Sequence, residues 1–135
     1  MAAPNTAPIY VFTPNVGLVV LATANANRDG TTGAYTTLYT AGAQGATINR
    51  VTFRSMAAVG ASTAMVCRLW WTSGATTVLV DETALATATS STTAVGGFGS
   101  FTLKTGIQMK AGDILKVTQT VAESVGYCAD QGGDF

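Results

Sequence analysis

Residues 63–72, TAMVCRLWWT, and residues 76–82, TTVLVDE, decide the fold of this chain. Both runs are rich in apolar and β-branched residues, and Ser73-Gly74 between them is a turn sequence, so together they predict a β-hairpin. Side chains alternate between the two faces of a strand, and this alternation makes one face of the first strand apolar. That face carries Met65, Cys67, Leu69 and Trp71.

The rest of the chain shows the same pattern of short strands separated by turns. Further strands are predicted at residues 16–24, 34–41, 46–57, 99–104, 114–121 and 124–130, with loops or connectors at 86–99 and 105–109. Residues 81–88 are the best helix candidate, but their helical period is too short to predict more than a loop or a single turn. About eight short strands at roughly ten-residue intervals predict an all-β domain, either an antiparallel β-sandwich or a closed barrel.

Alternation along these strands also predicts the core of the domain. The side chains expected between two sheets are Val51, Phe53, Met65, Leu69, Trp71, Phe101, Leu115 and Val117. Cys67 shares a face with three of them and is expected to be a buried, inert thiol. The position of Cys128 in the last predicted strand does not decide whether it is buried.

Residues 1–15, MAAPNTAPIYVFTPN, are predicted to form an extended N-terminal arm, followed by the β domain at residues 16–135. Pro4, Pro8 and Pro14 disfavour a helix and a central strand. The arm nevertheless contains a run of apolar side chains that need a binding partner: Ile9, Tyr10, Val11 and Phe12. We expect this run to dock on a neighbouring chain in preference to its own domain, because crossing arms bridge subunits readily.

The charge balance excludes several classes of function. Charged residues make up 10% of the chain, and seven Lys+Arg balance seven Asp+Glu. A nucleic-acid-binding protein or an electrostatic membrane anchor needs a basic surface that this composition does not offer. Zero net charge lowers the solubility of a free monomer and is more typical of an assembly subunit whose surface is covered by neighbours.

The apolar run at residues 16–24 precedes Ala24-Asn25-Ala26, which looks like a signal-peptidase site. No Lys or Arg precedes the run, and Arg28 is the first positive charge, so a strand is expected there instead of a signal peptide. No apolar run is long enough to predict a membrane span.

The sequence predicts neither an enzyme nor a metal or cofactor site. The chain has no His, which removes the commonest general base and every Ser-His or Cys-His nucleophile. Asp29, Asp130 and Asp134 could supply oxygen ligands to calcium, but their spacing matches no known calcium loop, and solvated turns are expected instead. The glycines of residues 95–99, VGGFG, lack the Lys-Ser/Thr and helix that a phosphate-binding loop requires.

Arg68 and Trp70 are the candidate partner-binding residues of the β domain. Both lie on the face of residues 63–72 opposite to the predicted core. An outward Trp beside an Arg could stack on a sugar or anchor a subunit interface. Burial beneath the arm or a loop is the equally open alternative. Tyr35 and Tyr39 lie four residues apart on one predicted strand and are expected to share a face, either extending this aromatic patch or joining the core.

Three segments of the chain resemble small proteins encoded among bacteriophage structural genes. These segments are residues 31–55, TTGAYTTLYTAGAQGATINRVTFRS, residues 109–117, MKAGDILKV, and residues 132–135, GGDF. The similarity covers about residues 16–135 and leaves the arm outside it. Proteins of this family look like jelly-roll modules that coat or cement an icosahedral head, and some related β modules belong to tail fibres.

The resemblance implies a capsid decoration protein that binds the outer surface of the head and bridges copies of the major capsid protein. The low charge and the outward aromatic side chains predict a homo-oligomer, and the resemblance implies that it is a trimer. The resemblance also implies a location in the virion and synthesis in the host cytoplasm, where no disulfide is expected. It supplies no catalytic residues. The alternative is a carbohydrate- or receptor-binding β module of a phage tail or fibre.

Overall fold

The computed structural model describes residues 13–56, 60–103 and 106–135, and these residues form an all-β structure without a helix. The strands are β1 (Thr13–Pro14), β2 (Gly17–Leu21), β3 (Thr36–Thr40), β4 (Ala46–Ile48), β5 (Arg50–Ser55), β6 (Gly60–Ala61), β7 (Met65–Ser73), β8 (Thr76–Leu85), β9 (Thr89–Ser90), β10 (Phe98–Ser100), β11 (Ile107–Met109), β12 (Ile114–Gln119), β13 (Val125–Asp130) and β14 (Gly133–Asp134). Residues 1–12 of the predicted arm, including Ile9, Tyr10, Val11 and Phe12, lie outside the described part of the chain.

The described strands form three four-stranded antiparallel sheets and the small pair β6–β9. The front sheet has the order β10-β5-β13-β2, and the back sheet has the order β3-β12-β7-β8. The end sheet has the order β1-β14-β4-β11. The predicted hairpin of residues 63–82 is confirmed as β7 and β8, whose register runs from Ser73↔Thr76 to Met65↔Leu85.

The end sheet continues the front sheet, because three of its strands run directly into front-sheet strands. β1 leads into β2, β4 into β5, and β13 into β14, with only one or two residues between each pair. Gln131, between β13 and β14, has a φ of 57°, an uncommon conformation for a residue with a Cβ. β13 and β14 are central strands, each hydrogen-bonded to a neighbour on both sides.

Asp134 fixes the position of β14. One of its carboxylate oxygens accepts hydrogen bonds from the Tyr39 hydroxyl at 2.8 Å and from the Gly42 backbone N–H at 3.0 Å. Burial and this hydrogen bond to Asp134 raise the pKa of Tyr39 to about 12. The phenol therefore stays protonated at physiological pH and remains the hydrogen-bond donor to Asp134. The β3 end of the back sheet is thereby tied to the end sheet.

A single hydrophobic core joins the three large sheets, an arrangement consistent with a β-sandwich. The predicted core is confirmed: every member of the predicted set is buried, except that Trp71 is only partly buried and packs against the others. Cys67 is fully buried in the same cluster, as predicted, and burial raises the pKa of its thiol. Both cysteines are free.

Several predicted boundaries are wrong. Residues 81–85 are strand and not loop, because β8 extends through Asp81 and Glu82 to Leu85, and only residues 86–88 are a loop as predicted. The predicted connector at 105–109 contains β11, and the segment after residue 130 contains β14. Residues 46–57 are divided into β4 and β5 at Asn49.

A bulge in β3 separates the two tyrosines that regular alternation would place together. The β3–β12 register shifts between Leu115, which opposes Tyr39, and Lys116, which opposes Thr37. Leu38 and Tyr39 are consequently both buried in the core. Tyr35 lies just before the strand and packs on the other side of the back sheet.

Candidate binding surface

The outer face of the front sheet carries the main exposed apolar surface of the described domain. The register places Val20, Gly126, Arg54 and Phe98 in one row across the four strands. Leu18, Cys128, Thr52 and Ser100 form the next row. Every second side chain of these strands points outward, which gives the face its composition.

The β2 half of this face is apolar. We call Leu18, Val20, Met56, Gly126 and Cys128 the front-sheet patch; all five line a shallow cavity of about 380 Å³. Leu18 is 70% exposed, Met56 57% and Val20 55%. A Cβ on Gly126 would lie only 2.8 Å from the sulfur of Met56, so the glycine lets the Met56 side chain lie flat on the sheet. The patch is an open apolar depression on the surface.

The other half of the face is charged. The Arg54 guanidinium lies 5.0 Å from the ring centre of Phe98, which is 61% exposed, in a cation–π contact. Arg50 donates two hydrogen bonds to Asp130, at 2.8 and 2.7 Å. The hydrogen bond from Arg50 lowers the pKa of Asp130, and the pair stays ionised at neutral pH. Arginine, methionine and aromatic residues are enriched in protein–protein interfaces, so this face has the composition of a docking surface.

Trp70 and Arg68 point away from the core as predicted, and both are buried, not exposed to a partner. Trp70 is 1% exposed and Arg68 6% exposed. Tyr35 packs edge-on against the Trp70 ring at 5.2 Å, and the Trp70 indole N–H donates to the Thr118 hydroxyl at 2.9 Å. The loop at residues 22–35 covers both side chains, which is the alternative that the sequence left open.

Hydrogen bonds and ion pairs hold this covering loop on the back sheet. Arg68 donates to the backbone oxygen of Ala26 at 3.2 Å and to Glu82 at 3.1 Å. Glu82 also pairs with Arg28 at 2.6 Å, and the bonds from Arg28 and Arg68 lower its pKa. Arg68 is therefore a buried cation that anchors a loop to the sheet.

The loop is also organised from within by Asn25 and Asp29. The buried Asn25 amide donates to the backbone oxygens of Thr32 and Ala34 and accepts from the backbone of Asn27. Asp29 accepts from the backbone N–H groups of Thr31 and Thr32 and from the Thr32 hydroxyl, and these bonds lower its pKa. Asp29 thus has the turn-forming role expected from the sequence.

A second cleft, of about 320 Å³, lies beside Trp71, whose side chain is on the face of β7 opposite to Trp70 and its covering loop. Asp113 is one of its lining residues: it is 3% exposed and accepts from the Trp71 indole N–H and the Lys110 backbone N–H, both at 3.0 Å. Burial on its own would raise the pKa of Asp113. Hydrogen bonds from Ser73, Lys110 and Trp71 outweigh it, and the pKa is lowered overall.

Asp113 is expected to make the domain sensitive to acid. Its pKa is lower in the folded protein than in the unfolded chain, so its stabilising contribution is complete above the unfolded value and is lost as the pH falls through the folded value. The melting temperature of Asp113→Asn, measured between about pH 7 and pH 2, should fall less steeply with acid than that of the unchanged protein. A constant difference between the two proteins at every pH would contradict this assignment.

In residues 13–56, 60–103 and 106–135, no group of three or more His, Cys, Asp or Glu side chains could hold a metal ion. The candidate surface is instead the front-sheet face, which the sequence did not single out. The signal was the run GLVVL at residues 17–21, apolar at consecutive positions. Such a run is typical of a strand covered on both faces, yet Leu18 and Val20 are more than half exposed in the described part of this domain.

The comparisons with known proteins give no relative. No protein-family model, curated protein or solved structure matches the chain significantly. Within the described ranges, no helix has the length and apolar character needed to cross a membrane.

Proposed function

We propose that this protein is a structural component of a bacteriophage particle, a capsid decoration protein that binds the outer surface of the head and bridges copies of the major capsid protein. The observation that carries the proposal is the front-sheet patch beside Arg54 and Phe98. A surface on which Leu18, Val20 and Met56 are each more than half exposed, on a chain of zero net charge, is better suited to permanent contact with a neighbour than to free solution.

The strand order of the front and back sheets supports the jelly-roll part of the proposal. These sheets contain eight strands, which are β2, β3, β5, β7, β8, β10, β12 and β13 in chain order. Counted in that order, the front sheet reads sixth, third, eighth, first, and the back sheet reads second, seventh, fourth, fifth. Two interlocked Greek keys rolled into a jelly roll give this order.

Decoration also requires that the subunit keep its own sheets from aggregating before it reaches the shell. β2 and β10 are the terminal strands of the front sheet. A homo-oligomer, a trimer by the resemblance to phage proteins, would cover such strands and present several copies of the head-binding surface together. The protein would be made in the host cytoplasm and end in the virion.

The copy number in purified particles tests this function. Quantitative mass spectrometry of particles of the virus that encodes the chain should find on the order of hundreds of copies, matching the repetitive symmetry of a head. Cryo-electron microscopy of the same particles should place the domain on the outside of the coat lattice. Particles that contain no copy would overturn the proposal.

A carbohydrate- or receptor-binding module of a tail or fibre is the second candidate. The cleft beside Trp71 favours it, because Gln108, Lys110 and Thr76 surround an aromatic side chain there and could hydrogen-bond to a sugar. The same measurement separates the two candidates: a handful of copies at the tail would favour the fibre module over decoration.

A further inference from the structure

We propose that the front-sheet patch of one copy of this protein binds residues 9–12, Ile-Tyr-Val-Phe, of a second copy. The interface would link copies head to tail, each one giving its apolar segment and receiving that of a neighbour. This self-association uses the same patch that supports the capsid role proposed above, but it is tested in solution without particles, whereas the capsid role is tested on particles.

The receiving surface is built for an apolar segment. Leu18, Val20 and Met56 are each more than half exposed, and together they surround a depression of about 380 Å³. Cys128 also lines it and is half-buried with a free thiol. A groove of this kind gains stability from desolvating an aromatic or branched side chain, as in the central part of a protein–protein interface.

The segment that best matches this surface belongs to the chain itself. Residues 9–12 are four consecutive large apolar side chains, and they immediately precede Thr13 of β1, which is exposed. Fully burying such side chains contributes about 1.5–3 kcal/mol each before ordering costs, so the segment has much to gain from a partner. Pro8 and Pro14 on either side restrict the unfolded segment and lower the entropy that is lost on binding.

The direction of β1 and β2 favours the patch of another copy over the chain's own patch. β2 pairs with β13 and β1 pairs with β14, so the chain follows these successive partners backwards from Val20 through Leu18 to Thr13. At about 3.3 Å per residue, Thr13 lies roughly 20 Å from Val20. Phe12 is within about 4 Å of Thr13 and Val11 within about 7 Å. Neither residue can therefore reach the Val20 of its own chain, a limit that does not apply to the patch of a neighbouring copy.

The first test is the mass of the protein in solution. Light scattering across a range of concentrations should give an oligomer for the full chain. Deleting residues 2–12, or combining Leu18→Ser with Val20→Thr, should raise the dissociation constant at least about tenfold. Val95→Ser is the matched control, because Val95 is also 70% exposed but lies outside the patch, and it should leave the mass unchanged.

Circular dichroism should show that each variant keeps its β structure, because a variant that has unfolded would lose association whether or not the patch forms the contact. A monomeric full chain at all concentrations would overturn the proposal. So would a patch variant that folds and associates like the unchanged protein.

The second test locates the contact. Phe12→Cys, oxidised with copper phenanthroline, should form a disulfide between the introduced thiol and the native Cys128 of a neighbour, giving covalent oligomers on a non-reducing gel. Adding Cys128→Ser should abolish them. Cross-linking confined to single chains would show that the segment binds its own domain, and an absence of cross-linking to Cys128 would show that it binds elsewhere; either result overturns the proposal.

Discussion

Replacing Trp70 with alanine is expected to destabilise the domain by about 3–5 kcal/mol, the usual cost of removing a fully buried large aromatic side chain. The change removes the edge-on contact with Tyr35 and leaves the Thr118 hydroxyl without its hydrogen-bond donor. It also removes the support beneath the loop at residues 22–35. Thermal unfolding should show a melting temperature about 10–20 °C lower.

Two milder variants separate the packing of Trp70 from its hydrogen bond. Trp70→Phe keeps an aromatic ring but has no N–H, and Thr118→Val removes the acceptor. Each should cost about 1–3 kcal/mol, because a buried polar group is left without a partner. The double variant should cost less than the sum of the two. A loss below about 1 kcal/mol for Trp70→Ala would mean that the loop does not hold the indole in its buried position.

Replacing Gly132 with alanine is expected to be as severe, by about 3 kcal/mol or more, although it adds only one methyl group. A Cβ at this position would overlap the backbone carbonyl oxygen of Thr47 in β4, and a backbone atom cannot move aside as a side chain can. The expected result is loss of the β14–β4 pairing and a lower midpoint in urea unfolding.

Gly96→Ala is the matched control for this clash. A Cβ on Gly96 would meet its nearest neighbour, the Ser90 side chain, at 3.6 Å, an ordinary van der Waals distance. Its stability should stay within about 0.5 kcal/mol of the unchanged protein. If Gly132→Ala unfolds at the same urea concentration as Gly96→Ala, residue 132 does not lie as close to the Thr47 backbone of β4 as the structure places it.

The alternation of side chains predicted the faces of the sheets better than it predicted what covers them. It placed Trp70 and Trp71 on opposite faces correctly, because that property depends only on neighbouring residues. It could not show that a loop more than thirty residues earlier lies over Trp70, since this cover depends on Arg68 reaching the backbone of Ala26. For the same reason the exposure of Leu18 could not be predicted from the apolar run at residues 17–21.

The predicted strand boundaries are wrong where the local preference of the residues for helix or loop disagrees with their pairing in the folded sheet. Residues 81–85 carry helix-favouring residues, yet Asp81 and Glu82 pair across the hairpin with Leu69 and Arg68 and continue the strand. The two tyrosines of residues 35–39 were separated by one bulge, which no spacing rule predicts.

The central position of β13 and β14 has a consequence for the order in which the protein can fold during synthesis. The first strands of the described chain, β1 and β2, pair only with β14 and β13, more than a hundred residues later. The β7–β8 hairpin can form as soon as its residues leave the ribosome, whereas the front and end sheets have a gap in the middle until residues 125–134 emerge. A chain interrupted before Val125 therefore keeps its earliest strands without partners, in a form that chaperones and proteases recognise.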